Sequence, residues 1–154
     1  MAHVLLLISR KEVALSQRIL IVDDESLLLR TLVQAFREEG FETEAASSAE
    51  EAHQRMMGGD EFDLLLLDNK LPEMSGLDLL EKVASRLDRT QVVLMTAYDS
   101  AETQDRCRRL GVERYLRKPF DLSSILGLAA QLISEAGEGK GLLQRERQTT
   151  REGG

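Results

Sequence analysis

The stretch FDLLLLDNKLPEMSG, Phe62 to Gly76, decides the reading of this chain. Four consecutive leucines, Leu64 to Leu67, run straight into the carboxylate of Asp68, and Pro72 and Gly76 follow closely. A short apolar run bounded by turn residues is the pattern of a strand buried on both faces, as the inner strands of parallel sheets are. A carboxylate ending such a strand must be solvated, paired or used.

The same pattern repeats outward in both directions. RILIVDD from Arg18 is a first strand, and SLLLRTLVQAFREEG is a helix with Leu28, Leu32, Ala35 and Phe36 on one face and Gly40 as its stop. FETEAA is a weak second strand. Ser48 and Glu51 form a capping box for a helix through about Met57, which Gly58 and Gly59 break. After the leucine strand, Leu77, Leu80, Val83, Ala84 and Leu87 mark an amphipathic helix, and QVVLMTA is a fourth strand. A helix from about Ser100 to Leu110 ends at Gly111, and VERYLRKPF is a fifth strand. Asp121 then caps a last helix with Leu122, Ile125, Leu126, Ala129, Leu132 and Ile133 inward. Strands alternating with helices in this way imply a parallel sheet covered on both sides, an α/β fold whose functional groups gather at the carboxyl ends of the strands.

With 154 residues there is room for one core. Hydrophobic residues at 42% and charged ones at 31% exclude a disordered chain. A net charge of −7 disfavours direct nucleic acid binding and anionic membranes. Cys107, the single cysteine, rules out an intrachain disulfide and suits a reducing, cytoplasmic setting. Residues 1–17 hold a five-residue apolar core, Val4 to Ile8, with no basic region before it, too short for export. They read as an N-terminal extension or the product of an upstream start. Residues 18–136 are the folded domain. Residues 137–154, rich in glycine and charge, read as a linker or frayed tail.

Polar residues interrupt the aliphatic pattern at four strand ends: Asp23 and Asp24, Asp68, Thr96, and Lys118 with Pro119. Three clustered carboxylates repel by about 4 kcal/mol per pair at about 4 Å and an effective dielectric near 20. They need a cation. Oxygen ligands with one lysine nearby suit a hydrated hard dication such as Mg²⁺. Each residue alone fits a turn, a cap or a loop, whereas four on four different strands fit a site.

ILIVDDE, LLLLDNKLPEMSG, VVLMTA and YLRKPF resemble the signature blocks of response-regulator receiver domains of two-component signal transduction, the CheY-like family, over roughly Arg18 to Ala136. The resemblance implies a doubly wound (βα)5 flavodoxin-like fold of strand order 2-1-3-4-5. It implies that Asp68 is a phosphoacceptor forming an aspartyl phosphate. Asp23, Asp24, Asp68 and the backbone carbonyl of Lys70 would hold Mg²⁺, Thr96 and Lys118 would bind phosphoryl oxygens, and the Lys118–Pro119 bond would be cis. Thr96 and Tyr115 would be the switch pair, acting on the face made by the fourth helix, fifth strand and fifth helix. The implied partners are a sensor histidine kinase or histidine phosphotransfer protein, and an effector domain or protein on that face. His3 and His53 have no surroundings of a phosphotransfer histidine, so the donor comes from elsewhere. The protein is then a regulator that assists its own phosphorylation and dephosphorylation, not an enzyme acting on other substrates.

Two features depart from family patterns. Arg114 stands before Tyr115 where the winged-helix group carries an acid, which bears on a phosphorylation-dependent homodimer of that type. Lys70 and Tyr98 are bulky at positions that tune access of hydrolytic water, so slow loss of phosphate is expected. A haloacid-dehalogenase-type phosphatase also uses a strand-end aspartate and Mg²⁺, but needs a second aspartate two residues on, where Lys70 stands. A flavin-binding module would want a Ser, Thr and Gly-rich loop after the first strand, where DDES is acidic.

Overall fold

The computed structural model describes residues 17–97, 100–112 and 114–136. The expected extension, except for Gln17, and the expected tail lie outside the described residues, as does Tyr98. The strands are β1 (Arg18–Val22), β2 (Glu42–Ala46), β3 (Leu64–Asp68), β4 (Gln91–Thr96) and β5 (Arg114–Arg117). The helices are α1 (Ser26–Glu38), α2 (Ala49–Met57), α3 (Gly76–Lys82), α4 (Ala101–Leu110) and α5, residues 122–136. All strand pairs are parallel, in the order β2-β1-β3-β4-β5.

Side chains alternate across a strand, so each aliphatic run supplies both layers of the core. Leu20, Val22, Leu65, Leu67 and Leu94 pack under α2, α3 and α4, against Ala52, Met56, Leu77, Leu80 and Cys107. Ile19, Ile21, Leu64, Leu66, Val93 and Met95 pack against α1 and α5, meeting Leu32, Phe36, Ile125 and Ala129. This double burial is why β3 can be four leucines in a row.

Local departures from the expected pattern have identifiable causes. The inward stripe of α1 is Leu29, Leu32, Val33 and Phe36, with Leu28 and Ala35 only half-buried. Three consecutive leucines, Leu27 to Leu29, left the helical phase open by one residue. The third helix stops at Lys82 and passes into a 3-10 turn, Ala84–Arg86, so Ala84 is exposed instead of continuing the stripe. Ser48 caps α2 by accepting the Glu51 N–H, but the Glu51 carboxylate reaches back to the Ser47 N–H instead of closing a box. A full capping box opens α3 instead, between Ser75 and Asp78. On α5, Ile125, Ala129 and Leu132 are buried, whereas Leu122 is exposed. The carbonyl of Gln17 accepts the Glu42 N–H, so pairing to β2 already begins at that residue. Among the described residues, no helix is long and apolar enough to cross a membrane.

Candidate functional site

Each strand-end residue is delivered to one pole of the sheet by its own strand. Asp23 follows β1 directly, its N–H bonded to the Ala46 carbonyl at 3.2 Å. Asp68 is the last residue of β3 and Thr96 the last of β4. Lys118 follows β5, with its N–H donating to the Thr96 carbonyl at 2.8 Å. Asp23, Asp68 and Thr96 are buried, whereas Asp24 is exposed.

The side chains converge. Lys118 Nζ donates to Asp23 Oδ2 at 2.8 Å and to Asp68 Oδ2 at 3.2 Å, and lies 3.7 Å from Glu25 Oε1. Asp23 Oδ1 accepts the Glu25 N–H at 2.9 Å, and Asp68 Oδ1 accepts the Lys70 N–H at 3.0 Å. One carboxylate oxygen from each of Asp23, Asp24 and Asp68 lies within 4.8 Å of the others. Three carboxylate oxygens gathered at this spacing are the donor type that would hold a hard divalent cation such as Mg²⁺. The Lys118–Pro119 peptide is cis. Tyr115, on β5, is exposed and pairs with Leu94, two strands across the sheet from Asp68 and one residue before it in register.

Electrostatics follow from burial. Burial pushes the Asp68 carboxyl above its ordinary value and the charge of Asp23 adds to this, while the Lys70 N–H and Lys118 pull the other way. Burial alone would lower the Lys118 ammonium, but its hydrogen bond to Asp23 and the charges of Asp68 and Asp23 outweigh it, holding the pKa above the ordinary value. The lysine is therefore a fixed positive charge between two buried carboxylates. The pole gathers a buried carboxylate at Asp68, a lysine ammonium beside it, and a cluster of three acidic side chains.

Two contributors had weaker sequence signals. Gly76 presses against the end of β3: a Cβ there would lie 2.5 Å from the Asp68 carbonyl oxygen. The Gly76 N–H and Leu77 N–H are tied to the backbone oxygen and side chain of Asn69, which docks α3 onto the strand end. Glycine after a strand reads only as a turn, and nothing local says that a backbone will pass so close. Glu25, beside Lys118, precedes α1 and carries no local signal of that proximity.

The family model described as the response regulator receiver domain matches residues 19–130, and the chain belongs to that family. It is a receiver domain of two-component response regulators. Over 108 residues it is 42% identical to Regulatory protein AtoC of Escherichia coli (strain K12), a match covering 70% of this chain and 23% of that protein. Over 111 residues it is 32% identical to Sporulation initiation phosphotransferase F of Bacillus subtilis (strain 168), covering 72% of this chain and 89% of that protein. A solved CheY-like receiver domain protein from Methanospirillum hungatei JF-1 aligns with a TM-score of 0.76 at 32% identity, covering 80% of this chain and 98% of that one. The chain thus spans about a quarter of the length of AtoC and of the Response regulator protein PilR of Pseudomonas aeruginosa, 23% and 26% respectively.

Proposed function

We propose that Asp68 accepts a phosphoryl group from a phosphohistidine of a sensor histidine kinase or histidine phosphotransfer protein, and that the modified site switches the α4–β5–α5 face toward an effector. The observation that carries this reading is the buried Asp68 carboxylate, 3.2 Å from Lys118 Nζ, within reach of the Asp23 and Asp24 oxygens. An Asp68 Oδ–P bond forms as the P–N bond to the donor imidazole breaks, and the leaving nitrogen takes up a proton. Phosphoryl transfer asks for positioning and charge neutralisation more than covalent assistance. The Lys70 N–H orients Asp68 through Oδ1, and Lys118 neutralises the arriving oxygens. Asp23, Asp24 and Asp68, with the Lys70 carbonyl, would hold Mg²⁺, which supplies further neutralisation of phosphoryl charge. A relative named a phosphotransferase, covered over most of its length, supports the phosphoryl chemistry.

The relay runs from Thr96 to Tyr115, on adjacent strands. Of α4, only Cys107 is fully buried, so this helix is the element most easily shifted. Acetyl phosphate with a divalent cation should add one phosphoryl mass to the chain. Retention of that mass gain in Asp68→Asn would refute the assignment. The cytoplasm, where such donors meet the chain, is the proposed location.

A further inference from the structure

Positions 106–118 hold six basic residues and one acidic one, in a chain whose net charge is −7. Three of the six have partners. Arg106 bridges to Asp78 and Glu81 of α3, Arg114 lies 3.9 Å from Glu135, and Lys118 holds the site carboxylates. Arg108, Arg109 and Arg117 are exposed and have no hydrogen-bonded or ionic partner among the described residues.

Helix phase and strand register place two of these arginines on one surface. Cys107 is buried against the sheet, and Arg106, about 100° to one side of it, reaches α3. Arg108, about 100° to the other side, therefore lies on the flank away from α3, which the strand order makes the β5 side. On β5, Tyr115 pairs with Leu94 and Arg117 with Thr96. Leu94 belongs to the layer under α4, whereas Leu116 packs into the opposite layer. Alternation then puts Tyr115 and Arg117 on the α4 side of the terminal strand.

Resting on the switch proposed above, we infer that Arg108, Tyr115 and Arg117 form a docking surface for an acidic polypeptide segment of the output partner. Guanidinium groups recognise carboxylates by paired hydrogen bonds, and arginine with tyrosine is the pairing that anchors protein interfaces. A nucleic acid fits poorly, because its line of charge extends beyond this patch onto an otherwise acidic molecule. Neither 1–16 nor 137–154 is a suitable occupant, since basic residues outnumber acidic ones in both. The acidic edge of a second copy is also a poor fit, because Glu42 and Glu44 on β2 are already paired with Arg18 and Arg55. Charges on an edge strand also guard against sheet-to-sheet association. On β2 that guard is neutralised internally, and at Arg117 it is left open.

The test uses the full chain, with and without beryllofluoride and Mg²⁺, and a fluorescein-labelled peptide of alternating Glu and Ala, read by anisotropy. Binding is expected, with amide shifts confined to 101–117. Combining Arg108→Glu with Arg117→Glu should weaken it at least about tenfold, while Arg30→Glu on α1 leaves it unchanged. Equal binding by the double variant overturns the inference, as does tighter binding of a DNA duplex, or self-association in sedimentation that the double variant abolishes. Acetyl phosphate labelling in parallel separates the two readings. Labelling without peptide binding defeats the docking surface alone, and peptide binding without labelling defeats the phosphoacceptor assignment alone.

Discussion

Replacing Lys118 by methionine removes the charge that sits between two buried carboxylates while keeping most of the apolar stem. With the site oxygens within 4.8 Å of one another, the repulsion between Asp23 and Asp68 is about 3.5 kcal/mol at an effective dielectric of about 20. That lies inside the range of about 3 to 5 kcal/mol expected when one partner of a buried ion pair is removed. Urea unfolding at pH 7 without divalent cation should therefore show Lys118→Met less stable than the natural chain by about 3 kcal/mol. The sign with pH follows from linkage. Asp68 is held above its ordinary value, so its protonated form favours the fold, and losing the lysine raises it further. The deficit should shrink as pH falls below about 7 and the carboxyl takes up its proton. Mg²⁺ should also stabilise the variant more than the natural chain, because it would replace the missing charge. A variant as stable as the natural chain in chelator at pH 7, or one that Mg²⁺ stabilises no more, would refute this account of the cluster.

Asp68→Asn removes a carboxylate whose ionisation burial disfavours, so in chelator at pH 7 this variant should be more stable than the natural chain, measured as a higher urea midpoint at unchanged slope. Gly76→Ala sets a methyl 2.5 Å from the Asp68 carbonyl and should cost about 1 to 3 kcal/mol, with slower labelling by acetyl phosphate as the strand end shifts. Thr96→Ala should still accept phosphate yet lose most of the amide response along 100–116 to beryllofluoride. Charge-assisted bonds from Thr96 and Lys118 contribute about 1.5 to 3 kcal/mol each, and inverting a 1:99 equilibrium takes about 5.5 kcal/mol, so neither suffices alone. A full response in that variant would break the proposed relay. Arg106→Ala should loosen α4 from α3, seen as faster amide exchange in α4. Its stability cost should be under about 1 kcal/mol, because Asp78, which Arg106 and Ser75 hold below its ordinary value, is half exposed.

The layers of the sheet and the residues at its functional pole were legible in the sequence because both depend on short-range pattern. Aliphatic runs of strand length declare burial on two faces, and a carboxylate, threonine or lysine closing such a run breaks the pattern visibly at Asp68, Thr96 and Lys118. The strand order was available only through family resemblance, since parallel strands of similar composition do not name their neighbours. Helix phase was ambiguous wherever apolar residues were consecutive, as at Leu27 to Leu29, and the break after Lys82 has no strong local signal. Only the tertiary structure could decide that Lys118 lies between Asp23 and Asp68, 95 and 50 residues away in the chain. The same holds for the passage of Gly76 over the Asp68 carbonyl and for Arg106 reaching α3. A local pattern records how each residue meets solvent or core. Distances between side chains on different elements depend on register and crossing geometry, which many remote contacts set together.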